Sequence, residues 1–440
     1  MGEHKSNTEY LELRRKYVST GVPLLHPITI VKSHNEIIED ADGNKYIDFT
    51  TGIGTTTFGH VNEELLEAAI KQLKELWHIC IHITNYPTYL ELAKALSERI
   101  PISGSKRAAF FNSGAEAVEN AIKISRQISH RQYVISFTGG FHGRTYMALT
   151  LTGKYKPYKV GFDPFVPGVI QVPYPYCYRW PIKISSCEEC GEHVLEYIEH
   201  LLEISVPSEL VAAIIVEPIQ GEGGFIVPPK NFLKGLEKIA RDHGIYLIID
   251  EIQTGYCRTG KFMAFEHFNV DPDMVVLGKS IANGLPLSAV VGRDEILGKV
   301  VEGSIGGTYT GNPVSTAVAI KVLELIDKYD LCSKAQKLGS IMEKMLKEMA
   351  DEFDVIGEER GLGVMRAVEL VEDKDTKKPA KELTAKVLEE ARKRGLLLLK
   401  AGYYGNVVRF HPPLTISEEN LVKGMEIFRE SLKAAIQKSS

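Results

Sequence analysis

The stretch VVLGKSIANGLPLSAVVG, Val275 to Gly292, sets one lysine, Lys279, into an apolar run hemmed by glycines. Burying a lysine is costly unless it is paired or chemically modified. The plain alternative is a strand that ends at Gly278 with Lys279 turned to solvent. Two other apolar runs also end in an ionisable group: AAIIVE, Ala212 to Glu217, and IYLIID, Ile245 to Asp250. Taken singly, each is an ordinary exposed strand end. Together they bring Glu217, Asp250 and Lys279 to one edge, and open α/β sheets bind ligands beyond the carboxyl ends of their strands.

Two further stretches supply what such an edge lacks. In FNSGAEAVENAI, Ser113 and Glu116 have capping-box spacing, and Gly114 lets the chain turn so that free N–H groups face outward. A helix start of this kind is an anion seat suited to a phosphate. In GGFHGRT, Gly139 to Thr145, an aromatic and a histidine lie between glycines, as in a loop pressed against a flat ligand. A phosphate seat, an aromatic face, a strand-end carboxylate and a strand-end lysine are the groups that pyridoxal phosphate needs. The lysine forms the Schiff base, and the carboxylate keeps the pyridine nitrogen protonated.

The elements that must hold these groups follow from periodicity. Ile37 to Phe49 reads as a hairpin turning at Asp42-Gly43, and Glu63 to Trp77 and Tyr86 to Ile100 read as helices. Ala212–Glu217, the helix Lys230–His243, Ile245–Asp250 and Met274–Gly278 alternate as buried parallel strands and helix do. Val314–Lys328, Ser333–Glu352, Lys381–Arg394 and Glu418–Ala435 read as helices, with Gly361–Leu370 and Asn406–Phe410 extended. The expected class is α/β: a large, mostly parallel-sheet domain over 61–315 and a smaller α+β domain over 316–440, with the N-terminal segment 1–60 joining the small domain.

Composition excludes other classes. The 440 residues are 44% hydrophobic and 25% charged, with Lys+Arg 52 against Asp+Glu 57 and a net charge of -5. That leaves no basic footprint for nucleic acid or a membrane surface. The first residues lack a secretory apolar core, no run reaches membrane-span length, and the chain reads as cytoplasmic. Gly2 and Ser6 fit a loose myristoylation pattern, too short to outweigh a chance match. Cys177, Cys187 and Cys190, with His193 nearby, leave zinc, a redox pair, a loop disulfide or free thiols open.

The stretches NSGAEAVENAIK, GGFHGRT, VEPIQGEGG, IIDEIQTG, VVLGKSIANGLPLSAVVG, GTYTGNP and VRFHPPL resemble, in order and spacing, the class III aminotransferases. The resemblance runs from about Ile37 to the last helix. It implies fold type I of the pyridoxal phosphate enzymes and a homodimer with active sites at the subunit interface. It implies Lys279 as Schiff-base lysine and proton shuttle, and Asp250 on the pyridine nitrogen. Gln253 falls at the ring hydroxyl, Ile252 and Phe141 on the two ring faces with His142 beside them, and Ser113, Gly114 and Ala115 at the phosphate. Thr308 reaches the phosphate from the other subunit. No metal is implied, and the NSGAE motif lacks the cysteines of iron–sulfur members.

The same resemblance bears on substrate. Arg409 matches the receptor for an α-carboxylate, and Glu217 is read as the carboxylate that covers it until 2-oxoglutarate arrives. Arg144 matches the arginine for the distal carboxylate. At Ile53, ornithine-type members usually carry tyrosine, whereas 4-aminobutyrate-type members tend to carry isoleucine. The reading is therefore 4-aminobutyrate as donor and 2-oxoglutarate as acceptor. An ornithine- or acetylornithine-type aminotransferase, or a racemase or 2-epimerase using the same lysine, remains open. A non-catalytic regulator on this fold would need a lost lysine or an added basic domain, and neither is present.

Overall fold

The computed structural model describes residues 4–438. Gly2 of the short N-terminal pattern lies outside the described residues. Ser6 instead caps the helix Asn7–Tyr17 reciprocally with Glu9.

A seven-stranded sheet forms the centre, in the order Lys106–Phe111, Ser288–Arg293, Met274–Leu277, Tyr246–Asp250, Val211–Val216, Tyr133–Phe137, Val169–Val172. Ser288–Arg293 runs against both neighbours. From Met274–Leu277 to Val169–Val172 every pairing is parallel. Every residue of Val211–Val216 and Met274–Leu277 is buried, which is what cover on both faces requires. Alternation divides them between two layers. Ala213, Ile215, Ile248 and Val276 pack against Ala117, Val118, Ala121 and Ile122 of the helix Gly114–Ser129. Ile214, Val216, Ile249 and Val275 belong to the core beneath Phe232, Leu233 and Leu236 of the helix Lys230–Asp242. Truncating one such side chain to alanine costs about 2–5 kcal/mol, so the strand ends that carry the chemistry are rigidly held.

Two four-stranded sheets flank this centre. The hairpin Ile37–Asp40 with Lys45–Asp48 turns through Gly43 at φ 85°. Its second strand pairs in parallel with Leu396–Leu397, so the N-terminal hairpin and the C-terminal part share a sheet. The other sheet corrects the expectation of a single strand over Gly361–Leu370. The chain there makes two antiparallel strands, Ile356–Leu362 and Met365–Leu370. Gly363 turns between them at φ 55°, where a Cβ would come within 2.5 Å of the Thr259 backbone. The apolar reading ran across a reversal that only glycine permits. Val407–Phe410 pairs with Met365–Leu370 and places Arg409 opposite Ala367.

Cys177 is disulfide-bonded to Cys187 and Cys257 to Cys332, while Cys190 is buried and free. Among the described residues no group of three His, Cys, Asp or Glu side chains is placed to hold a metal ion. Nor is any described helix long and apolar enough to cross a membrane.

Candidate active site

Three neighbouring parallel strands end at one cavity of about 180 Å³, whose wall includes Glu217, Asp250 and Lys279. Lys279 follows Met274–Leu277 and Gly278, at φ 47°. The next residue fixes that bend: Ser280 Oγ lies 2.6 Å from Thr57 Oγ1 and donates to the Gly54 carbonyl at 3.2 Å. Loss of solvent pushes the Lys279 amine down to about 8, against the opposing pull of the Glu222, Glu217 and Asp250 charges. A buried lysine near neutrality can serve as both nucleophile and proton carrier.

Asp250 is held from two sides. His142 Nδ1 lies 2.7 Å from its Oδ2, and the Ile252 N–H donates to its Oδ1 at 3.1 Å. Burial opposes charge on His142, yet the hydrogen bond and the charges of Asp250 and Glu217 outweigh it and raise its pKa. Asp250 is thereby fixed in position, with His142 behind it.

Across the cavity stands the start of the helix Gly114–Ser129. The first N–H groups of a helix have no intrahelical acceptor. Ser113 Oγ accepts from Glu116 N–H at 3.3 Å and Ser113 O from Ala117 N–H at 3.1 Å, while Gly114 and Ala115 face the cavity. Only half of the anticipated capping box forms. The Glu116 carboxylate takes the N–H of Asn112 at 2.8 Å, one residue before the cap. A Cβ at Gly114 would stand 2.8 Å from Ile252 Cδ1, so glycine is required for the helix start to close on the ring slot. Phe141 and Ile252 line the cavity, and buried Gln253 Oε1 has no partner among the described residues.

The substrate side departs from expectation. Glu217 does not reach Arg409. Its Oε1 accepts the Phe141 N–H and its Oε2 the Gly221 N–H, both at 2.8 Å, and burial pushes its carboxyl up to about 7. Glu222 is the partner: Arg409 Nη1 donates to its Oε1 at 2.7 Å. Burial works against the Glu222 charge, but Arg409 and Lys279 outweigh it and lower its pKa. The cause is the turn between the bridged residues Gln220 and Ile226, which carries Glu222 toward Arg409 while Glu217 stays behind to pin two loops. Arg409 Nε is buried and has no partner among the described residues.

Arg144 is exposed, with its guanidinium 5.2 Å from the Tyr158 ring and 6.0 Å from that of Phe141. Ile53 is 46% exposed and outside the cavity wall. It sits at φ 64°, in a loop whose Gly54 touches His411, two residues beyond Arg409. Thr308 lies on an exposed loop away from this chain's own cavity. Sequence reasoning missed Glu222 and Tyr158. Glu222 stood in the quoted VEPIQGEGG stretch, and Tyr158 had no motif to mark it.

Sheet order and strand-end cavity define fold type I of the pyridoxal-phosphate-dependent transferases. One solved relative is a thermostable (S)-enantioselective omega-transaminase from Thermomicrobium roseum. It superposes with a TM-score of 0.90 at 31% identity, covering 99% of each chain. The family pattern Aminotransferase class-III matches residues 17–432, and the chain belongs to this family of aminotransferases. It is 44% identical to a probable 4-aminobutyrate aminotransferase of Bacillus subtilis, over 98% of both chains. It is 40% identical to the 5-aminovalerate aminotransferase of Pseudomonas aeruginosa, over 97% of this chain and 98% of that one.

Proposed function

We propose that the protein moves the amino group of an ω-amino acid, 4-aminobutyrate first among them, to 2-oxoglutarate, giving the semialdehyde and L-glutamate. Pyridoxal 5′-phosphate, when bound, supplies the aldehyde that takes the amine and the ring that accepts electrons from the substrate carbon. The residues fit it. Gly114 and Ala115 N–H groups would meet the phosphate, Phe141 and Ile252 would enclose the ring, and Asp250 would hold a proton on the ring nitrogen. Gln253, whose buried Oε1 has no partner among the described residues, would meet the ring hydroxyl. Lys279 Nζ carries the proton away from the substrate carbon that bears the amine.

The observation that carries the donor assignment is the Glu222–Arg409 pair. Arg409 is a buried carboxylate receptor covered by the protein's own carboxylate. An ω-amino donor has no carboxylate beside its reacting amine, so it reacts with the cover in place. 2-Oxoglutarate has one, displaces Glu222 and uses the fork of Arg409, including the unpartnered Nε. Arg144, with no carboxylate partner among the described residues, is open to the distal carboxylate of either.

The working unit is a homodimer in this reading. Trp77, Ile83 and Tyr309 are 73%, 79% and 65% exposed, and His78 packs on Tyr309 at 5.4 Å, so they form an apolar face beside Thr308. A second copy on that face would bring its own Thr308 to the phosphate.

The test is one half-reaction. Cofactor-loaded enzyme is mixed with 4-aminobutyrate alone, and the cofactor absorbance is followed. Conversion to the amine form is expected. An unchanged spectrum overturns the donor assignment and returns the site to α-amino acid chemistry, racemisation included.

A further inference from the structure

Tyr158 touches three groups on the substrate side, Glu222, Phe141 and Arg144. Its hydroxyl donates to Glu222 Oε2 at 3.3 Å. Its ring lies 5.1 Å from that of Phe141, and the Arg144 guanidinium stands 5.2 Å over it. Burial raises the phenol's pKa, so it remains a protonated donor at any working pH.

The Glu222 carboxylate is thus engaged at both oxygens, Oε1 by Arg409 and Oε2 by Tyr158. Its backbone is fixed as well. The Glu222 carbonyl accepts the Gly402 N–H at 3.1 Å, and Lys154 Nζ braces the Gly402 carbonyl at 2.7 Å. Only the side chain is left to swing. The ring of Tyr158 cannot follow it freely, because it rests on Phe141, whose N–H is held by Glu217.

We propose that Tyr158 is a positioning residue that latches Glu222 over Arg409, so that its single hydroxyl sets the balance between ω-amino and α-carboxylate substrates. The inference rests on the Glu222–Arg409 reading above. A substrate with an α-carboxylate must break the Tyr158 hydrogen bond as well as the ion pair. A substrate without one breaks neither.

The experiment compares holoenzyme carrying Tyr158→Phe, Glu222→Gln or both with the parent. Half-reactions with 4-aminobutyrate and with L-glutamate are read separately. Tyr158→Phe keeps the ring and removes the latch, so the ratio of apparent affinities shifts toward L-glutamate by about tenfold, the low end of what loss of one hydrogen bond to a charged group implies. Glu222→Gln shifts the ratio in the same direction and further. In the double variant the Tyr158 change adds nothing. A purely structural role of Tyr158 would weaken both donors alike and leave the ratio in place. If Glu222→Gln moves the ratio and Tyr158→Phe does not, the latch is overturned and the gate stands. If neither moves it, the gate fails and the latch with it. A Tyr158 effect that persists undiminished in Glu222→Gln also overturns the latch, since it would not act through that carboxylate.

Discussion

The floor of the cavity and its substrate wall are built by opposite rules. On the floor, Asp250, Lys279 and the Gly114 helix start sit at the ends of regular elements, and Asp250 is hydrogen-bonded at both oxygens. On the wall, Arg144, Glu222 and Tyr158 sit on loops, Arg409 keeps an unpartnered Nε, and Glu222 is held by two partners that a ligand can replace. The floor performs one task in every turnover, so fixed charge serves it best. In the proposed reaction the wall must accept two differently placed carboxylates, so its charges have to re-pair. Two carboxylates in one sequence stretch divide along this line. Glu217 is spent on backbone N–H groups, and Glu222 on an arginine that it can release.

The comparison predicts that damage to the floor is absolute and indifferent to substrate. Lys279→Ala removes the proposed nucleophile and proton carrier together. Turnover with every donor should fall on the order of 10⁴-fold or more, read as amine-to-oxo-acid exchange at saturating substrate. Activity within tenfold of the parent would mean that another group moves the proton. Asp250→Asn keeps the shape and removes the charge. Turnover should fall about 10²–10³-fold, equally for 4-aminobutyrate and L-glutamate. A loss confined to one donor would break the division between floor and wall.

The floor was also the part legible in sequence, for the same physical reason. Buried strand ends and a capped helix start are local patterns, so Asp250, Lys279 and Gly114 could be placed from their own neighbours. Which of Glu217 and Glu222 meets Arg409 depends on how Gln220 closes on Ile226, and on a strand nearly two hundred residues away. The reversal at Gly363 was hidden because the apolar residues continue on both sides of it. The Cys257–Cys332 disulfide joins residues 75 apart, a separation that no spacing rule reaches.

The mildest test of the floor is its response to pH. In the proposed reaction Lys279 would condense with the cofactor aldehyde only as the neutral amine, and loss of solvent has moved that amine down to about 8 from an ordinary 10.5. Protein stripped of cofactor should therefore load about tenfold faster at pH 9 than at pH 7, with the rise levelling off above about 8. Stability carries the same sign. Between about 8 and 10.5 the unfolded chain keeps a proton that the folded Lys279 has shed, so the stripped protein gains stability as pH rises through that window. Lysine-to-methionine substitution at position 279 should remove that gain from denaturant titrations. A loading rate that keeps climbing tenfold per pH unit past 9 would place Lys279 in water, and the floor would then be no drier than the wall.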